Sequence, residues 1–144
     1  MSQVKTRDFI SDAEVAALVA AFETATIPAA DFNHVAHIAV AVSYLNQMSP
    51  EQALERMRTK IRDFAAHHGV QNLYHETLTT FWMRLLDHAG SSYEADVPLW
   101  QRINSIVARW GSSAPVQAHY SKDVIASKTA RQEWVPPDRL PLEF

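Results

Sequence analysis

The sequence contains no cysteine, and glycine occurs only three times in 144 residues. Without cysteine the chain cannot form disulfides, thiolate metal sites, iron–sulfur clusters or a cysteine nucleophile. With so little glycine, it also contains neither a phosphate-binding glycine loop nor a dinucleotide fingerprint. Any chemistry must therefore come from histidine, acidic, arginine, tyrosine or hydroxyl side chains.

An excess of positive charge is also missing. Lysine and arginine number 13 against 16 acidic residues, a net charge of -3, whereas binding to a phosphate backbone needs a concentrated positive surface. No apolar run reaches the length of about 18 to 20 residues that a membrane span needs. We therefore expect a cytoplasmic protein with neither nucleic acid nor membrane as a partner.

The composition is that of one globular domain. Hydrophobic residues make up 47% and charged residues 20% of the chain, and its length suits a single core. Apolar residues recur at three and four positions, and no stretch alternates with a period of two. The sequence predicts a single-domain all-α bundle with a short C-terminal helix and a proline-held tail over 121–144. Its five main helices are expected at 11–24, 32–48, 50–68, 73–89 and 97–110.

Capping signals support these limits. Ser11 followed by Glu14 has the spacing of a capping box, Ser49 precedes a proline that suits a first helical position, and Asn72 is placed to cap the fourth helix. The second helix is apolar nearly all round. A helix of this kind belongs in the middle of a bundle.

Two histidines stand three residues apart near the start of the second helix. At about 100° per residue, His34 and His37 lie within roughly 60° of each other, on the face that also carries Ala41, Tyr44 and Met48. Because the helix is otherwise apolar, we expect both rings to be buried and therefore uncharged. Neutral imidazoles offer lone pairs to a metal ion. The alternative is that both rings merely form hydrogen bonds within the core.

A second polar group opens the fourth helix. His75 falls in line with Thr79 and Trp82, so it is expected to project toward the core, with Glu76 at the border of that stripe. Glu76 would act as a general base or a further metal ligand, touching a water that His75 also touches. The alternative is that this carboxylate only interacts with the helix dipole, worth about 0.3–1 kcal/mol. Hydroxyls here, including Thr79, could anchor an anion.

Three motifs follow one another along most of the chain. They are F-x-H-x-x-H from Phe32, Y-H-E-T-x-T from Tyr74 and S-x-x-A-R-x-x-W-x-x-P-D from Ser127. In this order and spacing the sequence resembles a family of small uncharacterised bacterial all-helical proteins. The resemblance implies no reaction, but it implies that Arg131 and Asp138 belong with the histidines.

Arg131 has two physical interpretations. Its guanidinium could bind a substrate carboxylate through two parallel hydrogen bonds. It could instead pair with Asp138 or Glu76 and so pin the C-terminal tail to the bundle, which is the commoner use of such an arginine.

The leading hypothesis is an interior pocket that binds a divalent metal (zinc, iron, nickel or copper) and a small polar molecule. As an enzyme, the protein would activate water or polarise a carbonyl. The alternatives are a metal-free small-molecule-binding module, or a structural protein with core histidines that forms a homodimer. The residues assigned are His34, His37 and His75 as metal ligands, Glu76 as ligand or base, and Tyr44, Thr79 and Arg131 around the small molecule.

Overall fold

A computed structural model describes residues 8–144, and it is all-α: no strand occurs among these residues. Two short 3-10 turns, Ala29–Asp31 and Gln71–Leu73, connect the longer helices. The α-helices in chain order are α1 Asp12–Glu23, α2 His34–Gln47, α3 Pro50–His67, α4 Glu76–Gly90, α5 Leu99–Trp110, α6 Ala114–His119, α7 Lys122–Ala126 and α8 Lys128–Gln132.

The start of α4 corrects the expected boundary. The helix begins at Glu76 rather than residue 73, and its cap is His75 rather than Asn72. The reason is local, since Gln71–Leu73 already forms a 3-10 turn, after which the chain is extended at Tyr74. His75 therefore occupies a capping position instead of a place one turn inside the helix.

The C-terminal third is also more helical than expected. In place of one short helix, the chain forms α6, α7 and α8. A proline in the first turn of α6 suits that position. Ser121 and Ser127 cap α7 and α8 through their side chains.

The helix α2 occupies the centre of the bundle. It contacts α1, α3, α4 and α5, and residues 38–44 are buried without interruption. The prediction of a central second helix is confirmed. His34 and His37, in the first two turns of α2, are partly buried at this position.

The C-terminal segment is fastened to the first turn of α4. Thr77, which is 0% exposed, donates its hydroxyl to the Glu133 carbonyl at 2.8 Å and accepts the Val135 amide at 3.1 Å. The Tyr120 hydroxyl donates to the Val135 carbonyl at 2.6 Å. The tail is therefore fixed next to His75.

Among the described residues, none of the helices has the length and apolar character that crossing a bilayer requires.

Candidate functional site

A cavity of about 330 Å³ lies between α2, α3, α4 and the connection before α4. Its apolar wall consists of Phe32, Ile38, Ala41, Met57, Ile61, Leu73, Leu78, Trp82, Met83 and Leu86. Its polar wall consists of Asn33, His34, His37, Tyr74, His75 and Thr79. No Asp, Glu, Lys or Arg among the described residues lines it. The cavity is thus mainly apolar, with its polar groups drawn largely from histidine.

His34 is the first residue of α2 and is positioned by the cap before it. The Asn33 side chain accepts the Ala36 amide at 3.0 Å, which fixes the start of the helix. The His34 ring meets Trp82 edge-on, with ring centroids 4.5 Å apart. Its Nε2 atom is buried and has no hydrogen-bond partner within the described chain. Burial lowers the pKa of His34, so the ring is neutral near pH 7.

His37 lies one helical turn further and packs against Phe32, with ring centroids 4.1 Å apart. Burial, together with the neighbouring His34, lowers its pKa to about 4. Burial disfavours the charged form of an imidazole. Protonating both of two neighbouring imidazoles costs further free energy because their like charges repel. Both lowered pKa values agree with the neutral pair that the apolar surroundings of α2 predicted.

His75 also lines the cavity, but both of its ring nitrogens are already bonded. Nδ1 accepts the Leu78 amide at 3.1 Å, so the proton resides on Nε2, which donates to the Ile125 carbonyl at 2.8 Å. We assign this tautomer from the hydrogen-bond pattern. Burial is also the main cause of the lowered pKa of His75. Neither nitrogen has a free lone pair to offer a metal.

The three predicted metal ligands thus line one cavity without forming a ready coordination site. Among residues 8–144, no group of three or more His, Asp or Glu side chains is placed to hold a metal ion. A metal bound to His75 would have to displace the Leu78 amide or the Ile125 carbonyl. The three-histidine metal centre stays a prediction.

Glu76 lies outside the cavity wall and is held in an ion pair. Its carboxylate accepts two hydrogen bonds from Arg58 Nε at 3.0 and 3.2 Å, and one from Arg58 Nη2 at 2.7 Å. The Tyr74 and Thr80 hydroxyls donate to it at 2.6 and 3.2 Å. Burial raises the pKa of Glu76, but these bonds outweigh burial and lower it. The carboxylate ties α4 to α3 and does not face the histidine pair.

Tyr44 is likewise absent from the cavity wall. Its hydroxyl donates to the Glu23 carboxylate, which also accepts a hydrogen bond from Arg56 at 2.8 Å. Burial and the Glu23 bond raise the pKa of Tyr44. The side chain therefore joins α2 to α1 and α3. The shared helical face that suggested a role beside the histidines did not reveal the direction of its long side chain.

Arg131 bonds to backbone carbonyls next to the cavity, whereas the Thr79 side chain itself lines the cavity. Arg131 Nη1 donates to the carbonyls of Asn72, Leu73 and Tyr74 at 3.1, 3.2 and 3.4 Å. It therefore pins the tail to the cavity wall, but through backbone carbonyls rather than through Asp138 or Glu76. Thr79 lines the cavity and donates its hydroxyl to the His75 carbonyl at 2.9 Å.

Asp138, which the family resemblance grouped with the histidines, lies in the tail. Its carboxylate accepts the Ser121 amide at 2.8 Å, and this bond lowers its pKa. Sequence reasoning assigned no site role to Phe32 or Trp82. A signal for Trp82 was present, because it follows His75 and Thr79 on one helical stripe.

The orphaned nitrogen of His34 leads to an expected result on stability. A buried polar atom without a partner costs about 1–3 kcal/mol, so His34→Leu should leave the free energy of unfolding of the ligand-free protein unchanged or raise it. The matched control is His75→Leu, which removes two formed hydrogen bonds and should cost about 2–3 kcal/mol. Urea unfolding near pH 7.5 compares the two. Equal losses in both variants would show that His34 has a partner within the protein.

Comparisons of the chain with protein-family models, with curated proteins and with solved structures find no match. We therefore infer the function from the geometry of this cavity.

Proposed function

We propose that the protein binds a small, largely apolar organic molecule in the cavity between α2, α3 and α4, without a metal. The observation that carries this proposal is the pair of imidazole side chains, His34 and His37, set in an otherwise mainly apolar cavity wall. A ligand that combines apolar surface with one polar group would match both parts of that wall.

The size and lining of the cavity support this function. Ligand pockets commonly occupy about 300–1,000 Å³ and combine apolar walls with a few polar groups that fix orientation. This cavity has about 330 Å³, mainly apolar walls, and histidine, asparagine, tyrosine and threonine side chains at defined positions. His34 and His37 belong to α2, and Trp82 belongs to α4, which packs against α2. The site is therefore largely formed before a ligand enters.

A divalent metal (zinc, iron, nickel or copper) is the second candidate. His34 and His37 are neutral, lie one turn apart and both line the cavity, and a neutral imidazole offers one lone pair to a metal ion. Two imidazoles would leave the remaining coordination positions to water or to the ligand itself. Catalysis by such a centre would follow the hydrolytic or carbonyl-polarising chemistry expected from the sequence, without Glu76 as base.

A binding screen with a cavity-filling control tests the proposed function. Ligand-detected NMR is run on a set of monocyclic and bicyclic fragments, both neutral and anionic. Leu78→Trp fills the cavity from α4, whereas Leu54→Trp places the same ring on α3 outside the cavity wall. We expect fragments that bind wild type and Leu54→Trp at 1:1 stoichiometry but not Leu78→Trp. If no fragment distinguishes a folded Leu78→Trp protein from wild type, the proposal fails.

Elemental analysis of protein made without a polyhistidine tag separates the two candidates. The metal-free proposal expects no stoichiometric metal at near-micromolar supply. Stoichiometric metal that is lost in His37→Ala would instead favour the metal centre.

A further inference from the structure

We infer that the ligand is an uncharged, aromatic molecule of about two fused rings that carries a hydroxyl group, bound with the hydroxyl at the His34 and His37 rings and the fused rings against Trp82 and the apolar wall. This inference rests on the proposed function and names the chemical class that the same cavity accepts. It follows from the volume of the cavity, the lack of charged residues in its wall, its aromatic lining and its two imidazoles.

The volume sets the number of rings. An apolar cavity of about 150 Å³ holds a benzene molecule, and this cavity has about 330 Å³. A single ring would leave about half of the space empty and forfeit contacts with the walls. A two-ring molecule fills the space.

The absence of charged residues from the cavity wall favours an uncharged ligand. No acidic residue, lysine or arginine of the described chain lines the cavity. A carboxylate inside it would be an unpaired charge, which is costly to bury unless a partner neutralises it. The nearest groups able to do so are His34 and His37, and both resist protonation because they are buried. An uncharged ligand avoids this cost.

The aromatic walls favour an aromatic ligand. Trp82 meets the His34 ring edge-on, and Phe32 packs against His37 at 4.1 Å. Further aromatic pairs in offset or edge-to-face arrangements are worth about 0.5–1.5 kcal/mol each beyond the area they bury. Phe32 also stacks on Phe22, with ring centroids 4.2 Å apart, so Trp82 is the ring of the wall that we expect to contact the ligand.

A hydroxyl is the polar group that suits the His34 and His37 rings in either tautomer. A ring nitrogen that carries the proton donates a hydrogen bond and one without the proton accepts, whereas a hydroxyl can do both. The Thr79 hydroxyl and the Asn33 side chain are the other polar groups of the wall outside the connection before α4. One hydroxyl can therefore bond to either imidazole without requiring a particular protonation pattern.

The cavity meets solvent at Leu73. This side chain is 66% exposed and yet lines the cavity, and it belongs to the 3-10 turn whose carbonyls Arg131 holds. An apolar residue at a mouth is compatible with the passage of an aromatic molecule and offers no charge to attract an anion.

Isothermal titration calorimetry with 2-naphthol and 2-naphthoate at about pH 7.5 tests the inference. Both probes have the same two rings, but one carries a neutral hydroxyl and the other a carboxylate. We expect 2-naphthol to bind wild type at 1:1 and at least about tenfold more tightly than 2-naphthoate. His34→Leu should weaken the binding of 2-naphthol about tenfold, as expected for the loss of one buried hydrogen bond.

The control is His67→Leu, which removes an exposed histidine of α3 and should leave both affinities unchanged. If 2-naphthoate binds as tightly as 2-naphthol, or if His34→Leu changes neither affinity, the ligand class is wrong while cavity binding survives. If neither probe binds but other fragments in the screen do, the ligand class is again wrong. If no fragment binds at all, the proposed function itself fails.

Discussion

Replacing Glu76 by alanine is expected to lower the free energy of unfolding by about 3 kcal/mol, because it breaks a buried ion pair from one side. Glu76 is 9% exposed and accepts hydrogen bonds from Arg58, Tyr74 and Thr80. Without it, the guanidinium and both hydroxyls lose their shared partner. Arg58 keeps a 2.6 Å bond to Glu55, which places the loss at the lower end of the range for buried pairs.

Glu55→Ala is the matched control for this experiment. The Glu55 side chain is 67% exposed, and a surface ion pair contributes about 0–1 kcal/mol. Urea unfolding of both variants at about pH 7.5 should give losses that differ by about 2 kcal/mol or more. Equal losses would mean that Glu76 is not the structural link between α3 and α4, and would reopen its assignment as a catalytic base.

Protonation of His37 in the unfolded chain is expected to destabilise the protein on acidification, beginning well above the pH at which carboxylates titrate. The folded protein holds the pKa of His37 at about 4, against an ordinary value of 6.5. Between these values the unfolded chain binds a proton that the folded chain excludes. Stability is therefore highest above about pH 6.5 and falls as the pH drops toward 4, by about 3 kcal/mol in total.

His37→Leu should make the pH dependence shallower by the part that His37 contributes, because leucine cannot take up the proton in the unfolded chain, and should leave the part that comes from the lowered pKa values of His34 and His75. The surface variant His67→Leu should keep the wild-type slope. Unfolding free energies measured at several values between about pH 7 and pH 4 give the comparison. A slope in His37→Leu as steep as in wild type would show that His37 is not a buried neutral imidazole.

Local periodicity was sufficient to predict the five main helices of this fold, α1 to α5. Their apolar repeats and the caps at Ser11 and Ser49 are properties of neighbouring residues, so the sequence reveals them directly. The same reasoning predicted that α2 lies in the centre and that its histidines are neutral, because both follow from an apolar helix.

Partners distant in the chain could not be predicted in the same way. Arg58 stands 18 positions before Glu76, and no helical spacing links the two residues. Tyr44 shares a helical face with His37, but its long side chain carries the hydroxyl to Glu23 on another helix. Burial and helix packing decide these contacts, and a single sequence does not encode the relative rotation of two helices in a readable form.

His75 shows how a local error changed the expected chemistry. Its type and stripe indicated an inward-facing ligand, and it does line the cavity. As the cap of α4, however, its Nδ1 atom accepts a hydrogen bond from the Leu78 amide and its Nε2 atom donates one to the Ile125 carbonyl. Histidine is an uncommon capping residue beside Ser, Thr, Asp and Asn, so the capping role was assigned to Asn72 instead.

The most direct measurement is a long-range proton–nitrogen NMR spectrum of the imidazole rings at about pH 5.5, recorded with and without 2-naphthol. The variants His34→Leu and His37→Leu assign the signals. We predict that His37 is still neutral at this pH and that the ring nitrogens of His34 shift on addition of 2-naphthol. A charged His37, together with His34 signals that do not respond to any cavity ligand, would contradict a neutral imidazole pair as the polar end of a binding site.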